Sequence, residues 1–353
     1  MRIGLIIYGS LDTLSGGYLY DRKLVEYLRS QRDSVEIFSL PWRDYASHLA
    51  DNLSIRLPHG LDVLIQDELN HPSLILANRG KHPYPVISLV HHLRCSELRP
   101  EWQNIFYRRM EMTYLRSVDG FIFNSRTTEG VVRSLLKQGK LSIVAYPPTD
   151  RFGDPISEEA IAERARSGEL RLLFLGNVIH RKGLHTLLQA VSRLHSAVRV
   201  DVIGSQTSDS RYAKVMQQYV ARNGLSSSVI FHGPVDGKPL IQRLKRAHVL
   251  VVPSSYEGFG IVYLEGMCFG LPAIGTTAGA AGEIITDGVD GFLIEPEQAE
   301  DLADRVRLLQ ERREVLLQMS LAARERYLRQ PKWEETAGRI REFLLKQREK
   351  KSV

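Results

Sequence analysis

Among the 353 residues, no apolar run approaches the roughly 20 that a membrane-spanning helix needs. The longest candidates, such as residues 249–253, have the length of buried strands. The opening MRIGLIIYGS has one basic residue and a short apolar run before a loop, so it reads as a first strand and not as a signal peptide. Cysteine is scarce. Cys95 and Cys268 give no disulfide framework and no metal motif, and both read as inert small residues in a reducing cytosol. There is no internal repeat of about 20–50 residues and no low-complexity segment. Apart from the tail at 346–351 (KQREKK), which reads as a solvated helix end, no basic block interrupts the sequence. No nucleic-acid-binding motif is present, which excludes that class of partner.

What is present belongs to a globular protein. The composition is 43% hydrophobic and 25% charged, enough apolar material for two cores, and the length favours two domains. A net charge of +6 suits an anionic ligand or an anionic membrane surface.

Strand-like runs at 2–8, 34–39, 61–65, 86–90, 120–123 and 141–145 alternate with helical patterns at 18–30, 102–115 and 127–137. Repeated strand–helix units predict a parallel sheet with helices on both faces. Prolines at 147, 148 and 155 mark a break; the stretch 156–169 is polar and helix-prone with few apolar residues, and 151–169 reads as a linker. The alternation restarts at residue 170 and predicts a second doubly wound sheet over 170–330. The expected division is therefore a Rossmann-like domain at 1–150, a linker, a second Rossmann-like domain at 170–330, and a C-terminal helix at 331–353 that crosses back onto the first. Ligands of such sheets bind beyond the carboxyl ends of the strands.

Four strand-end loops carry candidate chemistry. In VVPSSYEGFGIVYLEG (251–266), a strand leads through a Gly-flexible turn into a helix start. Unpaired N–H groups at such a start attract anions, and glycines permit close backbone approach. Glu257 and Glu265 flank the turn and can accept hydrogen bonds from vicinal hydroxyls; the alternative is that Glu257 caps the helix and Glu265 pairs with a base. In FLGNVIHRKGLHTLL (174–188), Lys182 stands at a strand–loop–helix junction where an ammonium can meet a diphosphate, or can simply lie on the surface. In YGSLDTLSGGY (8–18), Gly16 and Gly17 suit phosphate approach or a tight turn. In VISLVHHLRC (86–95), His91 and His92 follow a strand end, where a neutral imidazole can donate or accept near pH 7.

Together these residues resemble the retaining GT-B glycosyltransferases of family four. The resemblance spans essentially the whole chain and is densest over 171–296. It rests on Glu257 and Glu265 with seven residues between them, on Phe174, Gly176, Lys182 and Gly183 upstream, and on GTTAGAAGE (275–283) with Asp287, Gly288 and Gly291 downstream. The resemblance implies two facing Rossmann-like domains with a nucleotide-sugar donor between them. It implies that Glu257 contacts the donor sugar and that the N–H groups of Phe259, Gly260 and Ile261 hold the sugar and distal phosphate. Glu265 would hold the ribose, Lys182 the diphosphate, and Val235 the base pocket. Gly16 and Gly17 would close over the phosphates, and His91 would approach the reacting oxygen. One donor-site position departs: members usually have arginine after the strand-end glycine, where this sequence has Asn177. Either Arg181 compensates or the diphosphate is less well stabilised. His92 also stands where a small acid is often found.

The function implied is transfer of a sugar from a UDP- or GDP-sugar to a hydroxyl of a glycan, lipid or small molecule, with retention and without a metal or other cofactor. An inactive sugar-nucleotide-binding relative, an epimerase and a phosphorylase are the alternatives. A cytoplasmic location is expected; 93–109, where Arg94, Arg99, Arg108 and Arg109 lie among apolar residues, reads first as a solvated helix face, and peripheral contact with an anionic membrane is the alternative.

Overall fold

The structure is a computed structural model, and it describes residues 1–13, 15–137, 139–148, 150–166, 168–194 and 198–351. The chain divides into two compact units, Met1–Pro148 with Pro331–Val353, and Thr149–Gln330.

The first unit contains β1 (Arg2–Tyr8), α1 (Gly16–Ser30), β2 (Ser34–Leu40), α2 (Tyr45–Asp51), β3 (Val63–Asp67), α3 (His71–Leu74), β4 (Val86–Val90), α4 (Glu101–Ser117), β5 (Gly120–Phe123), α5 (Arg126–Leu136) and β6 (Leu141–Val144). The six strands form one sheet in the order β2-β1-β3-β4-β5-β6, all pairs parallel. β3 and β4 are buried at every position, which is why they read as continuous apolar runs and not as alternating ones. Loops after β1, β3 and β4 consequently emerge side by side.

The second unit contains α6 (Glu158–Arg166), β7 (Leu170–Leu175), α7 (Leu184–Val191), β8 (Val198–Ile203), α8 (Ser210–Arg222), β9 (Val229–Gly233), α9 (Gly237–Arg246), β10 (Val249–Val251), α10 (Ile261–Met267), β11 (Ala273–Thr276), β12 (Gly291–Ile294), α11 (Ala299–Glu311) and α12 (Arg313–Leu328). Its sheet runs β12-β11-β10-β7-β8-β9, again all parallel. β7 and β10 are neighbours, so the loops that follow them share one edge.

The last helix, α13 (Trp333–Lys351), belongs to the first unit. Its Trp333, Ala337, Ile340 and Leu344 join the core formed with Leu24, Leu28 and Ile3. Trp333 meets Tyr20 edge-on with ring centroids 5.2 Å apart. Buried Asp33 ties this helix to the sheet edge, accepting from the N-terminal ammonium at 2.6 Å and from Arg341 Nε at 2.7 Å. Burial alone would raise the Asp33 pKa, but Arg341 and the ammonium hold it below the usual range. The tie is therefore complete above the usual carboxylate range and is lost as the pH falls below that range, through the lowered pKa.

The expected linker at 151–169 is not a linker. Its centre is α6, packed on α12. Only Ile161 and Ala165, four residues apart, are buried in it, so a polar, helix-prone composition did not reveal that the helix packs into the second unit. Gly270 has φ +58°, and a Cβ there would lie 2.4 Å from Ile161 Cδ1. The sequence reading also passed over α2 and β12, each too short to show a periodic pattern.

Candidate active site

In the second unit the site begins with β10, which is fully buried. The loop beyond it carries Glu257, whose backbone is fixed against the loop after β11. Glu257 N donates to Ala278 O at 3.3 Å, and Ala280 N donates to Glu257 O at 2.8 Å. Gly279, with φ +85°, makes this approach possible, because a Cβ there would lie 2.1 Å from Glu257 O.

Glu257 is 5% exposed, and its carboxylate gathers two hydrogen-bond donors and a nearby guanidinium. Lys182 Nζ donates to Oε1 at 2.5 Å, Ser254 Oγ donates to the same oxygen at 2.5 Å, and Arg181 Nη1 stands 3.8 Å from Oε2. Arg181 Nη1 also donates to Tyr256 O at 2.8 Å. Burial disfavours charge on both Glu257 and Lys182 and pulls the Lys182 pKa down. For Glu257 the nearby charges of Lys182 and Arg181 outweigh burial and bring its pKa to about 2, so the carboxylate is ionised at neutral pH. An ammonium has three N–H donors, so Lys182 keeps two after serving Glu257.

Glu265 lies on α10, 8% exposed, with Arg151 Nη1 donating to its Oε1. Arg151 Nη2 donates to Asp236 at 2.8 Å, so one guanidinium joins Glu265 to the loop before α9. Burial raises the Glu265 pKa against the pull of Arg151. Gly260 caps α10 in a left-handed conformation, φ +94°, and Tyr263 fills the space a side chain there would take. α10 is only seven residues long, so any anion attraction here comes from the N–H groups of Phe259, Gly260 and Ile261 themselves more than from a long helix dipole. Asn177 is half-buried at the end of β7, where its Oδ1 accepts from Ser205 N at 3.4 Å. Val235 is half-buried between β9 and α9.

In the first unit, Gly16 and Gly17 open α1, with Ser15 accepting from Tyr18 N as its cap. His91 follows β4, and its ring lies so close to Gly17 that a Cβ there would be 3.4 Å from Cδ2. His91 Nε2 is 3.1 Å from Oδ1 of fully buried Asp21 on α1. Burial alone would lower the His91 pKa. Asp21, with Asp67 and Glu68 beyond it, raises it to about 9. The expected neutral imidazole is therefore an imidazolium at pH 7. The charged pair is complete below the ordinary histidine pKa of about 6.5 and is lost as the pH rises through about 9. His92 points elsewhere, pairing with Glu97 at 3.0 Å.

Sequence reasoning missed Arg151, Asp236 and Ser254 around the glutamates, and Asp21 and Asp67 around His91. Ser254 stood within the motif itself; the others are distant in sequence and gave no local signal. Two groups of metal-capable side chains also emerge among the described residues, Asp21 with Asp67 and His91, and Glu68 with His71 and Glu111. The spacing of these residues did not announce either group. Within the second, His71 Nδ1 is 3.1 Å from Glu68 O and Nε2 is 2.9 Å from the Tyr45 hydroxyl, so both ring nitrogens already have partners.

Residues 156–326 match the glycosyl transferases group 1 family. Glycogen synthase of Mycobacterium tuberculosis is 26% identical over 274 residues, which is 76% of this chain and 64% of that protein. The chain thus spans less than two thirds of the length of that relative. Sucrose-phosphate synthase from Thermosynechococcus elongatus superposes with a TM-score of 0.79 at 18% identity, covering 98% of each chain. Anabaena HepE in complex with UDP-glucose gives a TM-score of 0.75 at 18% identity, covering 98% of this chain and 100% of that one. The likeness to these two structures extends over both six-stranded sheets. The match to the glycosyl transferases group 1 family thus lies in residues 156–326, and the fold of the chain is GT-B.

Proposed function

We propose that this protein is a retaining hexosyltransferase that moves a sugar from a nucleoside-diphosphate sugar, UDP- or GDP-linked, to a hydroxyl of a glycan, lipid or small-molecule acceptor. The observation that carries the reading is the ionised Glu257 held by Lys182, Ser254 and Arg181 at the edge shared by the loops after β7 and β10. Two cations beside a fixed carboxylate suit a ligand with a diphosphate next to a polyol. The family match and the UDP-glucose complex of HepE lend support.

In the reaction the bond from the anomeric carbon to the diphosphate oxygen breaks, and a bond to the acceptor oxygen forms on the same face. The acceptor proton passes to the departing diphosphate. The difficulty lies in the negative charge gained by that leaving group, and preorganised donors usually do the most to lower such a barrier. Lys182 offers its two remaining N–H groups. Arg181 supplies the second positive charge that Asn177 cannot. Glu257 orients the sugar through its hydroxyls, and Glu265, fixed by Arg151, meets the ribose. These residues provide the counter-charge without a metal.

A thermal-shift series with UDP, GDP and ADP tests the donor assignment. UDP or GDP at 100 times its dissociation constant stabilises the protein by about 2.7 kcal/mol. No shift with any nucleoside diphosphate would refute the reading; a shift without sugar transfer from the matching donor would favour the inactive relative.

The same reading places the protein in the cytoplasm, with a peripheral membrane contact on α4. No helix among the described residues is long and apolar enough to cross a membrane. Leu98 and Trp102 are 63% and 71% exposed, and Ile105 and Phe106 are exposed beside them. Arg108 and Arg109 follow on the helix, and no carboxylate among the described residues lies within salt-bridge distance of either. Apolar side chains beside uncompensated arginines suit an anionic bilayer. The protein is expected to sediment with phosphatidylglycerol vesicles and not with phosphatidylcholine vesicles. Trp102→Ser with Arg108→Gln and Arg109→Gln is expected to cut that binding at least tenfold. Equal partition into both vesicle types, or into neither, removes the contact.

A further inference from the structure

We propose that Asp21 is a positioning residue for His91: it clamps Nε2 from inside α1 and leaves Nδ1–H as the donor that meets the ligand. The proposal rests on the transferase reading for its ligand, a sugar hydroxyl or a phosphate oxygen, but its geometry is independent of that reading.

Asp21 stands in the second turn of α1 with no solvent exposure. A carboxylate in such a place is costly unless something cationic answers it. Among the described residues its ion-pair partner is His91, at 3.1 Å. Its second oxygen, Oδ2, is buried without a hydrogen-bond partner. The groups facing His91 from the neighbouring elements are Asp21 on α1, the strongest attraction, and Asp67 and Glu68 at the end of β3, whose own pKa values burial raises to about 7 and about 8. Tyr20 meets the ring edge-on with centroids 5.5 Å apart, and the backbone of His91 is held by Asn124, whose Nδ2 donates to His91 O at 2.8 Å. The missing Cβ of Gly17 admits the ring against the start of α1.

A ring held in this way has one nitrogen committed and one to offer. With Asp21 accepting from Nε2, the imidazolium donates from Nδ1 and has no lone pair with which to take a proton. His91 therefore acts as a fixed cationic donor and not as a general base, and its proton stays in place throughout the transfer.

The test follows the His91 ring by nuclear magnetic resonance across pH, in the wild type and in Asp21→Asn, with no substrate present. The wild-type ring is expected to titrate well above the ordinary histidine range, and Asp21→Asn to bring it back toward about 6.5. Under turnover, Asp21→Asn is expected to lower kcat at least tenfold with KM within twofold, and to move the alkaline limb of the pH profile to lower pH. Adding it to His91→Gln is expected to cost little more than His91→Gln alone. A ring titration that Asp21→Asn leaves unchanged overturns the proposal, as does a variant that loses thermal stability but keeps the wild-type pH limb. The ring titration is read on the protein alone, so failure to find a sugar donor sinks the transferase reading and not the clamp. Should Asp21→Asn not fold, Asp21→Glu keeps the charge and displaces it by one methylene. A retained alkaline titration with a fallen kcat supports the clamp, and an unchanged kcat overturns it.

Discussion

Lys182→Ala is expected to lower kcat by roughly 100–1000-fold, the usual loss when one preorganised donor to a developing negative charge is removed. The loss falls on kcat more than on KM, because the diphosphate gains its extra charge only as the bond breaks. A second effect accompanies it. Glu257 is 5% exposed, and without Lys182 it keeps Ser254 and the more distant Arg181. Its pKa then rises from about 2, because burial is no longer opposed by an ammonium 2.5 Å away. The acid side of the pH–rate profile moves to higher pH in consequence. Steady-state kinetics across the acid and neutral range measures both effects at once. Wild-type turnover in this variant would remove the assignment of Lys182 to the leaving group.

Gly183→Ala is expected to destabilise the protein by about 2–5 kcal/mol, from two additive causes. The residue has φ +72°, and the left-handed conformation costs an L side chain about 1–2 kcal/mol. A Cβ there would also lie 2.0 Å from Pro253 O, which is backbone and cannot swing aside. Forcing such overlap typically costs a further 1–3 kcal/mol or so. Gly224→Ala is the control: φ is +68°, and nothing lies within 4 Å of the added Cβ, so only the conformational cost remains. Urea denaturation of the two variants separates the causes, and equal midpoints would show that the contact with Pro253 is not rigid. The same contact joins the loop of Lys182 to the loop of Glu257. Gly183→Ala therefore also lowers turnover in whatever fraction stays folded.

Much of this protein could be read from the sequence. Buried parallel strands appear as short apolar runs, and β1, β4 and β5 lie where those runs predicted them. The two glutamates, Lys182 and the paired histidines drew attention because they lie in or beside strand–loop–helix junctions, Glu257 in the loop after β10 and Glu265 within α10, where local pattern carries the information. Elements with little apolar surface were not legible. α6 buries two residues on one turn, and its charges made it look like a linker.

The sequence by itself determined the alternation of strands and helices, hence two doubly wound units, and the identity of the side chains at their loop ends. The tertiary structure alone decided which loop ends meet. β7 lies beside β10, and that adjacency brings Lys182 to Glu257 across 75 residues of chain. β3 lies between β1 and β4, and that order gathers Asp21, Asp67 and His91 from three separate segments. Hydrophobic periodicity fixes which face of an element is buried, but strand order is set by how whole elements pack. The charges of His91 and Glu257 follow from that packing, because each is fixed by the neighbours it acquires and the water it loses.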